Sequence, residues 1–277
     1  MIKRFVKKAL QEDIGRGDLF YLVGNNKKAT AKIVCKDSGM LAGVTYAKAL
    51  CKVEKLDYKF HKKDGDILEY GDLIATIKGK SKKLLMCERT ILNLLQHASG
   101  IATNTNKYIK ALNGADVKLL DTRKTRPLLR VFEKYAVRCG GGNNHRMGLD
   151  DCLMLKDTHQ ETIDDLDEFI NIARTKLTYT TKIEIECASI SAAKEAMKCD
   201  IDMIMCDNMS VEEIKEVVTC RDEMAPHILI EASGNITQET ILSYASSGVD
   251  AISSGSLIHQ AVWLDYSMKI THKENKV

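Results

Sequence analysis

From Val117 to Ser254 the chain alternates, and this alternation constrains the fold more than any other feature. Short apolar runs at 117–121, 152–156, 182–187, 202–206, 228–232 and 250–254 read as buried strands. Amphipathic stretches at 127–138, 161–176, 191–199, 211–220 and 237–247 read as the helices between them. Ser210 with Glu213 forms a capping box for one of these helices, and Gly248 closes another. Strands joined through helices pair in parallel with right-handed crossovers. The segment is short for eight such units, which take about 250 residues. That leaves an open sheet or a reduced barrel.

In either architecture the C-terminal strand ends carry the chemistry. The run Val117–Leu120 is followed at once by Asp121 and the cations Arg123, Lys124 and Arg126. Pro127 opens a helix where its missing N–H costs nothing. Leu128, Val131, Phe132 and Tyr135 share one face of that helix, and Gly140-Gly141-Gly142 stops it. Asn143-Asn144-His145-Arg146 then leads into a strand that ends on Lys156. One Arg or Lys beside a strand is commonly there to stay solvated. Arg123, Lys124, His145, Arg146 and Lys156, converging from one βαβ unit, describe instead a pocket for a small ligand with several negative charges.

The later strand ends add acids and turns. Glu184 and Glu186 fall on one face of their strand, where two carboxylates are costly unless used or paired. Asp207 and Asn208 end the next strand. Ser233-Gly234-Asn235 follows Glu231, and Ser254-Gly255-Ser256 follows the last strand. Both Ser-Gly turns precede expected helices, where backbone N–H groups hold phosphate.

Four blocks, D-T-R-K-T at 121–125, E-K-Y-A-V-R-C-G-G-G at 133–142, N-H-R-M-G-L at 144–149 and L-K-D-T-H at 155–159, stand in a characteristic order and spacing. In these the chain closely resembles the quinolinate phosphoribosyltransferases, the carboxylating nicotinate-nucleotide pyrophosphorylases. The resemblance runs from about Glu12 to about Gln260. It departs at Leu128, where many relatives have Gly, and at Thr158, where Asn is usual. It implies an α/β protein with an N-terminal α+β open-faced sandwich domain, 1–113, and a TIM-like, irregular seven-stranded α/β barrel, 114–264. The tail, 265–277, is expected to pack back on the first domain.

The activity implied is transfer of phosphoribose from phosphoribosyl pyrophosphate to quinolinate, giving nicotinate mononucleotide, pyrophosphate and carbon dioxide for NAD biosynthesis. On that resemblance Arg123, Lys124, His145, Arg146 and Lys156 hold the quinolinate dianion. Arg89 joins them from a neighbouring subunit of a homo-oligomer, a dimer or a hexamer. Lys124, Lys156, Glu186 and Asp207 form the catalytic set, and Glu186 and Asp207 also hold Mg²⁺. The phosphoribosyl group rests on Glu186, Asp207, Asn208, Ser233, Gly234, Asn235, Ser254, Gly255 and Ser256. A paralogous family associated with molybdenum transport in bacteria shares the fold and part of the motifs, and is the alternative.

Ahead of the alternation the pattern is mixed. A helix is expected over 2–10, a strand at 29–35 and a helix at 45–53. Turns at Asp64-Gly65-Asp66 and Tyr70-Gly71-Asp72 precede an extended segment at 73–77, and helices follow at 82–96 and 101–112. Strands covered by helices make an α+β unit. By spacing alone Arg89 is a solvated cation on a polar stripe, and His97 is a structural residue at a helix end.

Composition mainly excludes. A hydrophobic share of 44% beside 29% charged residues is that of a globular chain. The formal charge of +3 is spread out, and the lysine pairs at 7–8, 27–28, 62–63 and 82–83 lack interleaved aromatics, so no nucleic-acid surface is expected. No apolar run reaches membrane-spanning length, and Met1–Lys8 lacks a signal-peptide core. Nine cysteines, an odd number without a C-x-x-C pair, suit a reducing compartment, and the cytoplasm is expected. A Schiff-base role for Lys156 would need a depressed amine pKa beside a carbonyl site, and the acids nearby argue against it.

Overall fold

The computed structural model describes residues 1–272. Residues 273–277, part of the tail expected to pack back on the first domain, lie outside the described residues. The chain forms two units. One comprises Met1–Asn104, Arg138–Gly141 and the chain from Ala261, the other Thr105–Val137 and Gly142–Gln260. No helix among the described residues is long and apolar enough to cross a membrane.

In the first unit α1 (Ile2–Ile14) buries Val6 and Leu10. The Asp18 carboxylate accepts from Phe20 N and caps α2 (Leu19–Val23). Along β1 (Lys28–Cys35) Ala29, Ala31, Ile33 and Cys35 are buried while Lys28 and Lys32 face out, the pattern of a sheet with one wet face. Next come β2 (Gly39–Met40), α3 (Val44–Val53), β3 (Asp57–Phe60), β4 (Ile67–Leu68) and β5 (Leu73–Lys80). The strand Tyr266–His272 pairs antiparallel with β1, giving a four-stranded sheet that continues through β5 to β3.

The separate helices expected at 82–96 and 101–112 are one helix, α4 (Ser81–Ala111). Gly100 does not break it. Its bare Cα admits the chain at Val262–Trp263, since a Cβ there would stand 2.3 Å from the Val262 carbonyl oxygen. His97 is therefore no helix end. It is a buried mid-helix ring stacked on Trp263, with centroids 5.1 Å apart.

The alternation then unfolds as β6 (Lys118–Leu120), α5 (Arg130–Cys139), β7 (Cys152–Leu155), α6 (Asp157–Gln160), α7 (Leu166–Lys176) and β8 (Lys182–Cys187). It continues through α8 (Ile190–Ala196), β9 (Met203–Asp207), α9 (Val211–Met224), β10 (Leu229–Ser233), α10 (Ile241–Ala245), β11 (Ala251–Ser253) and α11 (Ser256–His259). All six strands run parallel in the order β6-β11-β10-β9-β8-β7, and each begins and ends within a residue of its expected place. The seventh member of the irregular barrel is reduced to one parallel bridge, Leu120 to Asn143.

The helices differ more from expectation. α5 starts at Arg130 and not at Pro127, because Leu128 has φ 65°, a left-handed conformation that no helix residue takes. The helix expected from 161 begins at Leu166, where Asp165 accepts from Glu168 N. α10 covers only five of the residues expected at 237–247. The Ser210–Glu213 capping box is in place at α9.

Candidate active site

Strand parity decides which side chains meet at the C-terminal ends. Ile183, Ile185 and Cys187 on β8, like Ile204 and Cys206 on β9, are fully buried apolar residues of one parity. The other parity carries Glu184, Glu186, Met205, Asp207, Glu231, Ser233 and Ser253, and part of this set opens on a cavity of about 300 Å³. The cations Arg123, Lys124, His145, Arg146 and Lys156 line it, all five expected from the sequence. Glu186 and Asp207 line it too, with the hydroxyls of Thr122, Ser233 and Ser253 and the side chains of Met154 and Met205. Every lining residue belongs to the second unit. The volume is at the lower end of small-molecule sites.

The cations differ in what else they touch. Burial and the neighbouring charges of Arg146 and Arg130 hold Arg123 below its ordinary value, and among the described residues it has no carboxylate partner. Arg146 is buried, and its Nη1 donates to Cys152 O at 3.0 Å. Lys156 Nζ pairs with Glu186 Oε2, and its backbone N donates to His159 Nδ1 at 3.0 Å, so Thr158 leaves that cap intact. The amine is thus committed to an ion pair, unlike a Schiff-base lysine. Arg126 turns to the buried Glu133, with Nη1 2.7 Å from Oε1.

The loop bearing His145 and Arg146 is pinned by a lysine that reads as a surface residue. Lys134, on α5, is fully buried. Its Nζ lies 2.5 Å from Asp121 Oδ1 and donates to His145 O at 2.8 Å and Arg146 O at 3.0 Å. Asp121 is also fully buried and accepts from Asn144 Nδ2 at 2.5 Å and His145 N at 3.0 Å. Burial pushes Asp121 up and Lys134 down, so desolvation outweighs the attraction between them.

His145 turns Nε2 away from solvent, 3.2 Å from Glu184 Oε2 and 3.3 Å from Glu231 Oε2. Both glutamates are fully buried. Neither contact is aligned well enough to be a directed hydrogen bond on its own. Its Nδ1 accepts the Arg146 backbone N–H at 2.7 Å. Burial opposes a charge on the ring while the two carboxylates favour a proton on it, and the balance pushes His145 up. Burial also holds Glu184 above its usual range. The Arg146 N–H needs a lone pair at Nδ1, so the ring proton sits on Nε2, facing the two acids.

The expected phosphate turns are only partly at the cavity. Ser233 lines it, and Ser253, one residue before the expected turn, donates its hydroxyl to Ser233 Oγ at 3.0 Å. Ser254 is buried with its hydroxyl toward Ile236 O, while Gly255 and Ser256 sit at the start of the one-turn α11. Gly234 has φ 97°, and a Cβ there would stand 2.7 Å from Asn208 N, so only glycine lets the two loops touch. Asn235 Nδ2 donates to Asn208 Oδ1 at 3.0 Å, and Asn208 Nδ2 to Asp207 Oδ2 at 2.8 Å, a relay that orients Asp207. Arg89 is exposed on α4 in the first unit and is not among the cavity's lining residues. Thr122, Ser253, Met154 and Met205 line the cavity without having been singled out from the sequence. Met154 and Met205 were legible, because they stand two residues before Lys156 and Asp207 and share their strand parity.

A parallel α/β unit with a cation-rich, acid-bearing cavity at its strand ends defines an enzyme for a small polyanion. The Quinolinate phosphoribosyl transferase C-terminal domain pattern matches residues 101–269, and the N-terminal domain pattern matches 18–99. A probable nicotinate-nucleotide pyrophosphorylase [carboxylating] of Bacillus subtilis is 38% identical over all of this chain and 96% of its own. One from Synechocystis is 37% identical over 98% of this chain and 92% of its own. The crystal structure of NadC from Streptococcus pyogenes superposes with a TM-score of 0.91 at 41% identity, covering 99% of this chain and 97% of that one. The chain belongs to the quinolinate phosphoribosyltransferase family.

Proposed function

We propose that the protein transfers phosphoribose from phosphoribosyl pyrophosphate to quinolinate and releases pyrophosphate and carbon dioxide, leaving nicotinate mononucleotide. The observation that carries the reading is the cavity itself. Arg123, Lys124, Arg146 and Lys156 gather there with Glu186 and Asp207, in a chain of this family. A pyridine with two adjacent carboxylates meets guanidinium and ammonium groups that would otherwise repel one another. Its ring nitrogen attacks the anomeric carbon as the bond to pyrophosphate breaks, and the ribose passes through an oxocarbenium-like state. The carboxylates of Glu186 and Asp207 stabilise that positive charge. The positive charge on the quaternised nitrogen then stabilises the carbanion left at C2 as carbon dioxide departs, and that electron pair takes up one proton.

Glu186 and Asp207 offer the hard oxygen donors that Mg²⁺ takes, and would hold the ion that neutralises charge on the leaving pyrophosphate. Ser233, Ser253 and the 233–235 turn support the phosphoribosyl group. Arg89, exposed on α4, is supplied to the pocket of a neighbouring subunit, which makes the working unit a homo-oligomer. The nine free cysteines suit a reducing cytoplasm. The reading is tested with nicotinate, which lacks one carboxylate. An unpaired buried polar group costs about 1–3 kcal/mol, more when charged, so quinolinate should be used far better. Comparable turnover of the two at equal concentration would sink the reading.

A further inference from the structure

Beneath the cavity lie two acids that the proposed reaction leaves unused. Glu184 sits two residues before Glu186 on β8, and Glu231 two before Ser233 on β10, so both share the cavity's parity one layer deeper. Both are fully buried, and Glu184 Oε1 and both Glu231 oxygens have no hydrogen-bond partner among the described residues. A buried carboxylate without donors is costly and is kept where it is used. What both approach is His145 Nε2, at 3.2 and 3.3 Å. Across the ring, Nδ1 accepts the Arg146 N–H at 2.7 Å, which requires a lone pair at Nδ1 and so places the ring proton on Nε2.

The same three atoms are close enough together to chelate an ion. A ligating Nε2 would need its lone pair free, and the Arg146 N–H on Nδ1 puts a proton there instead. The trio is therefore built to hold a proton in one place, not a metal. Its consequence reaches the substrate pocket through one residue. The ring that the acids hold anchors the backbone N–H of Arg146, whose guanidinium lines the cavity.

We propose that Glu184 and Glu231 are positioning residues for substrate binding: they lock His145 as its Nε2–H tautomer, and through the bond from Arg146 N to Nδ1 they set Arg146 against the anionic substrate. This deepens the quinolinate reading and rests on it for the identity of the anion. The lock on the tautomer does not.

The test has two arms on the full-length protein. In the first, long-range ¹H–¹⁵N spectra of labelled wild type should show His145 with the proton on Nε2 alone. A proton on Nδ1, a doubly protonated ring at pH 7.5, or a stoichiometric metal lost in Glu231→Gln would overturn the proposal, whatever the substrate is. In the second, quinolinate and phosphoribosyl pyrophosphate affinities are measured separately. Gln keeps an oxygen that accepts from Nε2–H, so Glu184→Gln and Glu231→Gln should bind quinolinate within about threefold of wild type. The Glu184→Met/Glu231→Met variant has no acceptor and should bind quinolinate at least about tenfold more weakly, with phosphoribosyl pyrophosphate affinity within about twofold. If that variant is misfolded, the Gln variants decide, and a tenfold loss in them would overturn the acceptor role. Equal quinolinate affinity in the Met variant and wild type would also overturn it. Wild type that keeps the tautomer yet binds no quinolinate would fault the substrate reading alone.

Discussion

Replacing Lys134 with Met should cost the protein about 3 kcal/mol. The amine sits 2.5 Å from Asp121 Oδ1, 2.8 Å from His145 O and 3.0 Å from Arg146 O, and both partners of the ion pair are fully buried. Removing one partner of a buried pair costs about 3–5 kcal/mol, because the other charge is stranded. Asp121 softens this, since burial already holds its carboxyl above the usual range and it can take up a proton. Its bonds from His145 N and Asn144 Nδ2 remain. The lower end of the range is therefore expected. With a urea slope of about 2 kcal/mol per molar, the unfolding midpoint should fall by roughly 1.5 M. Lys134→Met/Asp121→Asn removes the stranded charge while keeping an acceptor for His145 N, and should recover at least about 1 kcal/mol. Urea titrations followed by circular dichroism measure both. A single-variant cost below about 1 kcal/mol, or a double variant no more stable than the single, would refute the reasoning.

Other outcomes follow from the same structure. Leu128 holds φ 65° with its side chain 98% exposed, so Leu128→Gly relieves a strain of about 1–2 kcal/mol against a smaller unfolded-state cost. The Tm should rise by about 1–2 °C, and a clear fall would show that the side chain makes a contact of value. Arg89→Ala and Lys156→Ala should each be nearly inactive yet folded. Refolded together they should regain roughly a quarter of wild-type activity, since half the dimers are hybrids with one intact site of two. Hybrids as dead as their parents would remove Arg89 from the neighbour's pocket.

The strands were legible because each is a short apolar run with turn residues at both ends, as in Ile183–Cys187, and burial on both faces tolerates little else. Arg123, Lys124 and Lys156 were legible because they follow such strands at once, and His145 and Arg146 because they stand on the polar loop between two of them. Helix limits were harder to read. Pro127 signals a helix start, but the left-handed Leu128 overrides it, and Gly100 reads as a break although a neighbouring backbone needs it bare. Lys134 and the partner of Glu184 were the least legible. A lysine in a polar-rich helix carries no local mark of burial, and two acids on one strand face do not say what either of them meets. Only the fold brings Asp121 to Lys134 and His145 to Glu184.

The most direct test of the central claim is release of labelled carbon dioxide from the 2-carboxylate of quinolinate by purified protein. The account predicts release only when phosphoribosyl pyrophosphate is present, with pyrophosphate and nicotinate mononucleotide formed in equal amounts, and almost none from Asp207→Ala. Release without phosphoribosyl pyrophosphate, or none with it in folded wild-type protein, would contradict the account.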